Sequence, residues 1–187
     1  MTRRFADAPL PVDDVVRLCD LARRAPSAGF SQGSHLVVLE GEPLARFWNT
    51  SGSGEWFGAT QAGVLAAPVV VLGVADPEAY VRRYGEHDKA GHGLEEEPGW
   101  PVPFWLTDTA MVLQNVLLLA EERRWGALLF GVFRRSDAVL AELGAPPRCQ
   151  MVAAVALGRR AEDDVPSGSA TRRPRRIRED VVHVGRW

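Results

Sequence analysis

One segment restricts the fold of this chain more than any other. Within residues 106–124, Ala110 to Ala120 is apolar almost all the way round a helix. Such a helix must be covered on most sides, at the centre of a domain or in an interface between subunits. Thr107 or Asp108 is expected to cap its start, and Gly126 lies just past Arg123-Arg124 at its end. A chain of 187 residues is long enough to bury a core around this helix as one domain, residues 1–187.

The other elements follow from periodicity. Residues 12–25 read as a helix with Val15, Val16, Leu18, Cys19, Leu21 and Ala22 on its apolar face. Asp13 and Asp14 sit at its positive end, and Pro26 stops it. His35 to Glu40 reads as a strand, Gly41-Glu42-Pro43 as a turn, residues 44–50 as a short helix and Ser51-Gly52-Ser53-Gly54 as a loop. Ala67 to Ala75 is a continuous apolar run that fits a buried central strand. Leu128 to Phe133 and Met151 to Leu157 are two more strands, with a helix over 135–143 between them. This order predicts a mixed α+β domain. No Gly-x-Gly-x-x-Gly joins a strand to a helix, so a dinucleotide-binding α/β domain is disfavoured.

Residues 76–104 alternate glycine and proline with aromatic residues. So long an irregular connection is expected to be a binding loop or lid, with Tyr84, Trp100, Phe104 and the adjacent Trp105 as substrate surface. Residues 159–187 form an extended tail, and its first part holds Arg159, Arg160, Arg172, Arg173, Arg175 and Arg176.

Bulk properties exclude several classes. A net charge of −2 argues against nucleic acid as a partner. No run of about twenty apolar residues is available to span a membrane, and no apolar stretch follows Arg3-Arg4 as in a secretory signal. A cytoplasmic location is expected. Cys19 and Cys149 lie far apart in apolar contexts and read as buried free thiols. His87 and His92 have no cysteine nearby to complete a metal site, and no Walker loop is present.

The segment that points to chemistry is Pro26-Ser27-Ala28-Gly29-Phe30-Ser31-Gln32. Its small residues let a ligand approach the backbone, and Ser27, Ser31 and Gln32 supply hydrogen-bonding groups. Arg23 and Arg24 add positive charge just before it. The set suits a flat, polar-edged, anionic cofactor.

The pattern Arg-x-x-Pro-Ser-Ala-Gly-x-x-Gln resembles the flavin-binding turn of the FMN-dependent nitroreductase family. Three further segments share the resemblance. They are Asp108-x-x-x-x-x-Gln114-Asn115 in the apolar helix, Gly126 to Gly131 after it, and the Arg173, Arg175, Arg176 cluster before Glu179-Asp180-Val181-Val182-His183 and the final Arg186-Trp187. The resemblance implies a mixed, mainly antiparallel sheet flanked by helices, in a homodimer that exchanges its C-terminal extensions. It also implies FMN at the subunit interface and NADH or NADPH as reductant. The acceptor would be a small electron-poor molecule such as a nitroaromatic or a quinone.

By the same resemblance, Pro26, Ser27, Ala28, Gly29 and Gln32 line the flavin, while Phe130 and Gly131 lie near its N5. Arg173, Arg175 and Arg176 would hold the phosphate through guanidinium forks. Relatives carry an upstream arginine motif; this chain begins at its end, so Arg3 or Arg4 takes that place, or the tail arginines carry the phosphate alone. No side chain is then required as a catalytic acid or base, because flavin N5 performs the chemistry. The alternative within the same fold is a flavin-storing protein whose 76–104 loop blocks nicotinamide.

Overall fold

The computed structural model describes residues 1–187, the side chains at 169 and 170 excepted. Every residue of β2 (Val69–Ala75) is buried. A strand that is apolar on both faces needs a cover on each, and three layers result. β1 (Ser34–Glu40), β2, β3 (Gly126–Phe130) and β4 (Gln150–Gly158) form one antiparallel sheet in the order β1-β2-β4-β3. Along β2, Val69 and Val71 face one layer of helices while Val70, Leu72 and Val74 face the other, as the two-residue period of a strand requires.

On the first face lie α1 (Val12–Ala22) and α5 (Phe104–Glu122). α5 packs against all four strands. Gly73 makes this possible, because a Cβ there would lie 2.6 Å from Leu113 of α5. Leu113 is buried as a result, which contributes about 2 kcal/mol. On the second face lie α2 (Gly41–Thr50), α3 (Ser53–Thr60) and α6 (Ser136–Glu142), which pack Leu44, Phe47, Trp48, Phe57, Val139 and Leu140 against the sheet. α4 (Pro77–Tyr84) follows β2 directly and covers one end of the sheet, where Tyr80 meets Trp100 and Trp105. The last helix, α7 (Gly168–Arg172), lies in the tail.

The expected α+β architecture with a mainly antiparallel sheet is present. Several local expectations are corrected. Gly41-Glu42-Pro43 is the first turn of α2, where a proline lacks no hydrogen bond that the helix needs. Ser53 and Gly54 open α3, with the Ser51 hydroxyl accepting from the Ser53 amide at 3.1 Å. Residues 76–104 are not irregular throughout. Asp76 caps α4 by accepting from the Glu78 amide at 2.9 Å, and Pro77 occupies the first helical turn. α5 starts at Phe104, so neither Thr107 nor Asp108 caps it. At its other end, Arg124 rather than a glycine takes the left-handed conformation (φ +56°). Cys19 and Cys149 are buried free thiols, and burial pushes the Cys19 thiol up to about 11. No helix among the described residues is long and apolar enough to cross a membrane.

Candidate cofactor site

The Pro26–Gln32 segment links α1 to β1 as a tight left-handed turn. Gly29, Phe30 and Gln32 have φ of +60°, +59° and +53°. Only glycine adopts this region without cost, so the two neighbours need support. It comes from within the turn and from behind it. The Ser27 hydroxyl accepts from the Gln32 amide at 3.0 Å, and the Ser31 hydroxyl donates to the Ala28 carbonyl at 2.6 Å. From behind, Asp108 of α5 accepts from the Ala28 amide at 2.8 Å, and the Arg83 guanidinium of α4 donates to the Gly29 carbonyl at 2.8 Å. The Tyr84 ring packs so closely on Gly29 that a Cβ there would lie 2.7 Å from it. The Phe30 side chain is 73% exposed and points away from this support.

The second expected segment ends β3. Phe130 stacks on Trp48 at 5.7 Å and meets Phe57 edge-on at 5.1 Å. Beside it lies a cavity of about 420 Å³, walled by Trp56, Phe57, Phe130, Gly131 and Phe133, with Arg134 at its rim. A Cβ on Gly131 would lie 2.6 Å from the ring of the exposed Phe133, which would have to move aside. β1 and β3 are opposite edges of the sheet. The strands that the turn and Gly131 adjoin are therefore three inter-strand spacings apart across the sheet, about 14 Å.

At the N-terminus, the Arg3 and Arg4 amides both donate to Asp164, at 2.8 and 2.9 Å. The Arg4 side chain is exposed and pairs with Asp163 at 2.8 Å. Arg3 differs. Its Nη1 is buried and has no hydrogen-bond partner, and the one other such side-chain atom among the described residues is Gln61 Oε1. The two segments meet, since Phe5 donates its amide to the Gly63 carbonyl and Gly63 lies against the Arg3–Arg4 backbone. Buried polar atoms are paired in the great majority of cases, so this donor and this acceptor stand out among the described residues.

The tail behaves otherwise. Every residue from 171 to 187 is exposed, Trp187 at 99%. Arg176 donates to the Asp180 carbonyl at 2.6 Å. Among the described residues, no hydrogen bond or ion pair joins Arg173, Arg175 or Arg176 to the turn. Of the expected substrate residues, Trp100 and Trp105 are buried against Tyr80, and their indoles donate to the Leu94 carbonyl and to Gln150. In this chain they are core. Tyr84 and Phe104 keep contact with solvent.

Residues 1–159 match the model of the nitroreductase family. The chain belongs to that family. Membership makes it an oxidoreductase. Among its nitroreductase relatives is a candidate NADH dehydrogenase/NAD(P)H nitroreductase of Archaeoglobus fulgidus, 25% identical over 159 residues, which cover 83% of this chain and 78% of the relative. Two solved structures share the fold over 100% of this chain. NfrA2 of B. megaterium is 19% identical with a TM-score of 0.73 and is covered over 70% of its length. The FMN and NADPH-dependent nitroreductase NfnB of Sphigopyxis sp. is 19% identical with a TM-score of 0.67 and is covered over 95%. At these identities the likeness is one of fold. The family match stops before the tail, so the arginine cluster lies outside it.

Sequence reasoning passed over three residues that the structure singles out. Gln61 sits in a helix junction with no motif to flag it. Arg83 reads as an ordinary basic helix end. Asp108 reads as a helix cap, although an acidic residue in so apolar a helix was a signal that it needed donors.

Proposed function

We propose that the chain is an FMN-dependent NAD(P)H oxidoreductase that works as a homodimer on a small, electron-poor acceptor such as a nitroaromatic or a quinone. The observation that carries this reading is the family match over residues 1–159, and two buried atoms without partners, Arg3 Nη1 and Gln61 Oε1, add to it. One donates and the other accepts. The pyrimidine rim of a flavin offers the complement, carbonyl oxygens beside an N–H. Arg3 and Gln61 would therefore hold that rim, and the positive charge of Arg3 would stabilise negative charge developing there on reduction.

When bound, FMN supplies hydride transfer at N5, taking hydride from NADH or NADPH and passing it to the acceptor. The chain's own residues orient and exclude. Phe130 and the neighbouring aromatics form an apolar wall that keeps water from one side. Gly131 permits close approach of the backbone. The Ser27–Gln32 turn presents polar edges, and Arg173, Arg175 and Arg176 would grip the phosphate.

Two features support a dimer. The turn and Gly131 occupy opposite sheet edges, and in a dimer each can reach a cofactor from a different copy. α1 and α5 also expose Val16, Leu21, Met111 and Leu118, apolar surface that a second copy would cover.

The visible spectrum of the purified protein, followed on adding NADH or NADPH without oxygen, tests the proposal. A yellow protein that bleaches is the expected result. A yellow protein that stays oxidised makes it a flavin store, and a colourless protein that FMN does not reconstitute removes the cofactor altogether.

A further inference from the structure

Asp108 is 3% exposed and lies within an apolar helix, yet no arginine, lysine or histidine pairs with it among the described residues. Its Oδ2 accepts two hydrogen bonds of 2.8 Å, from the Ala28 amide and from the Tyr80 hydroxyl. Its Oδ1 faces the Thr107 hydroxyl at 3.4 Å. Tyr80 is fully buried, and burial, with the Asp108 carboxylate beside it, pushes its phenol above the usual range. The phenol therefore stays a donor. A buried carboxylate is costly unless its donors are held in place, and here one of them is the backbone of the turn.

α4 reaches the same turn by a second route. Arg83 donates through Nε to the Gly29 carbonyl, while its other nitrogens are held by Asp88 and Glu86 of the following loop. The two contacts bracket the dipeptide Ala28-Gly29, one fixing the N–H of the peptide that enters Ala28 and the other the C=O of the peptide that leaves Gly29. Left-handed conformations at residues such as Phe30 and Gln32 persist only where surroundings over-determine them, and this bracket provides that.

We propose that Asp108 and Arg83 are positioning residues that hold the Ser27–Gln32 turn in its ligand-binding shape and couple it to α4 and the loop after it. The proposal rests on the flavin reading above for the identity of the ligand, and on geometry alone for the clamp. The residues touch no cofactor; they act through the Ala28 amide and the Gly29 carbonyl.

The test uses the full chain with two readouts, amide hydrogen exchange of residues 27–33 without FMN, and FMN affinity by flavin fluorescence titration. Asp108→Ala and Arg83→Ala are each expected to speed exchange in the turn while α5 stays protected. Both should weaken FMN by about ten- to a hundredfold, the effect of removing one hydrogen bond to a charged group. Asp108→Asn should recover most of the affinity, since its amide oxygen can accept from Ala28 and Tyr80 while its NH₂ donates to Thr107. A merely structural role would lower the melting temperature and leave the turn's exchange and the flavin affinity unchanged below it. Unchanged exchange in Arg83→Ala, which leaves the buried carboxylate intact, overturns the clamp. Faster exchange in the variants of a chain that binds no FMN keeps the clamp and removes the flavin reading.

Discussion

The Ser27–Gln32 turn and the arginine tail carry the same kind of signal in the sequence, a short run of residue types suited to one end of an anionic cofactor. In the fold they part. The turn is bracketed by α4 and α5 and packed against Tyr84. The tail from 171 to 187 is exposed throughout, with Ile177, Val181, Val182 and Trp187 open to solvent. The difference lies in what completes each one. The turn draws its shape from the chain's own core, whereas the tail has the apolar and cationic content of an interface and no surface of its own chain to place it on. The proposed site draws on both, and in that reading a second copy supplies the surface that places the tail.

The largest expected effect is on the tail. Arg173→Ala with Arg175→Ala should weaken FMN by at least about a hundredfold, because two guanidinium–phosphate hydrogen bonds are removed together. The dimer and the melting temperature of the flavin-free protein should hold. Flavin affinity equal to that of the unmodified chain would take the tail out of the site and end the comparison.

A smaller effect is expected in the turn, and there it should appear in stability as well. Gly29→Ala places a Cβ at φ +60° and against Tyr84. The conformation alone costs about 1–2 kcal/mol, read as a lower melting temperature of the flavin-free protein. An unchanged melt would mean that the turn is not held by the core.

The smallest effect concerns the brace behind Arg83. The guanidinium of Arg83 holds the Asp88 carboxyl down to about 2. Because the folded value lies below the ordinary 3.8, the contribution is complete above that value and disappears as pH falls through about 2. Asp88→Asn should speed exchange at residues 29–31 slightly near neutral pH, and the difference from the unmodified chain should vanish at the acid end. Asp88 is exposed, so solvent keeps the effect small.

Periodicity placed the four strands and most helices to within a few residues, because apolar spacing reports burial directly. It failed where a helix starts without an apolar signal. α2 begins at Gly41 and α3 at Ser53, with polar and glycine residues in the first turn. The 77–84 helix carried legible cues, Asp76-Pro77-Glu78 at its start and Arg82-Arg83 at its end, which the glycine-rich stretch behind it obscured. At the site, the turn and Gly131 announced themselves by motif. Arg83 and Asp108 could not, since each matters through an atom far away in the chain, Arg83 through Gly29 and Asp108 through Ala28, and Gln61 stands out only by its burial.

Local residue order alone determined the layered α+β plan, the central position of the 69–75 strand and the family resemblance, because these depend on patterns read over a few turns of chain. Tertiary structure decided which polar groups are satisfied and which are left open. That depends on contacts between residues 28 and 108, 29 and 83, or 5 and 63, and a hydrogen bond is set by distance in space, which no local pattern encodes.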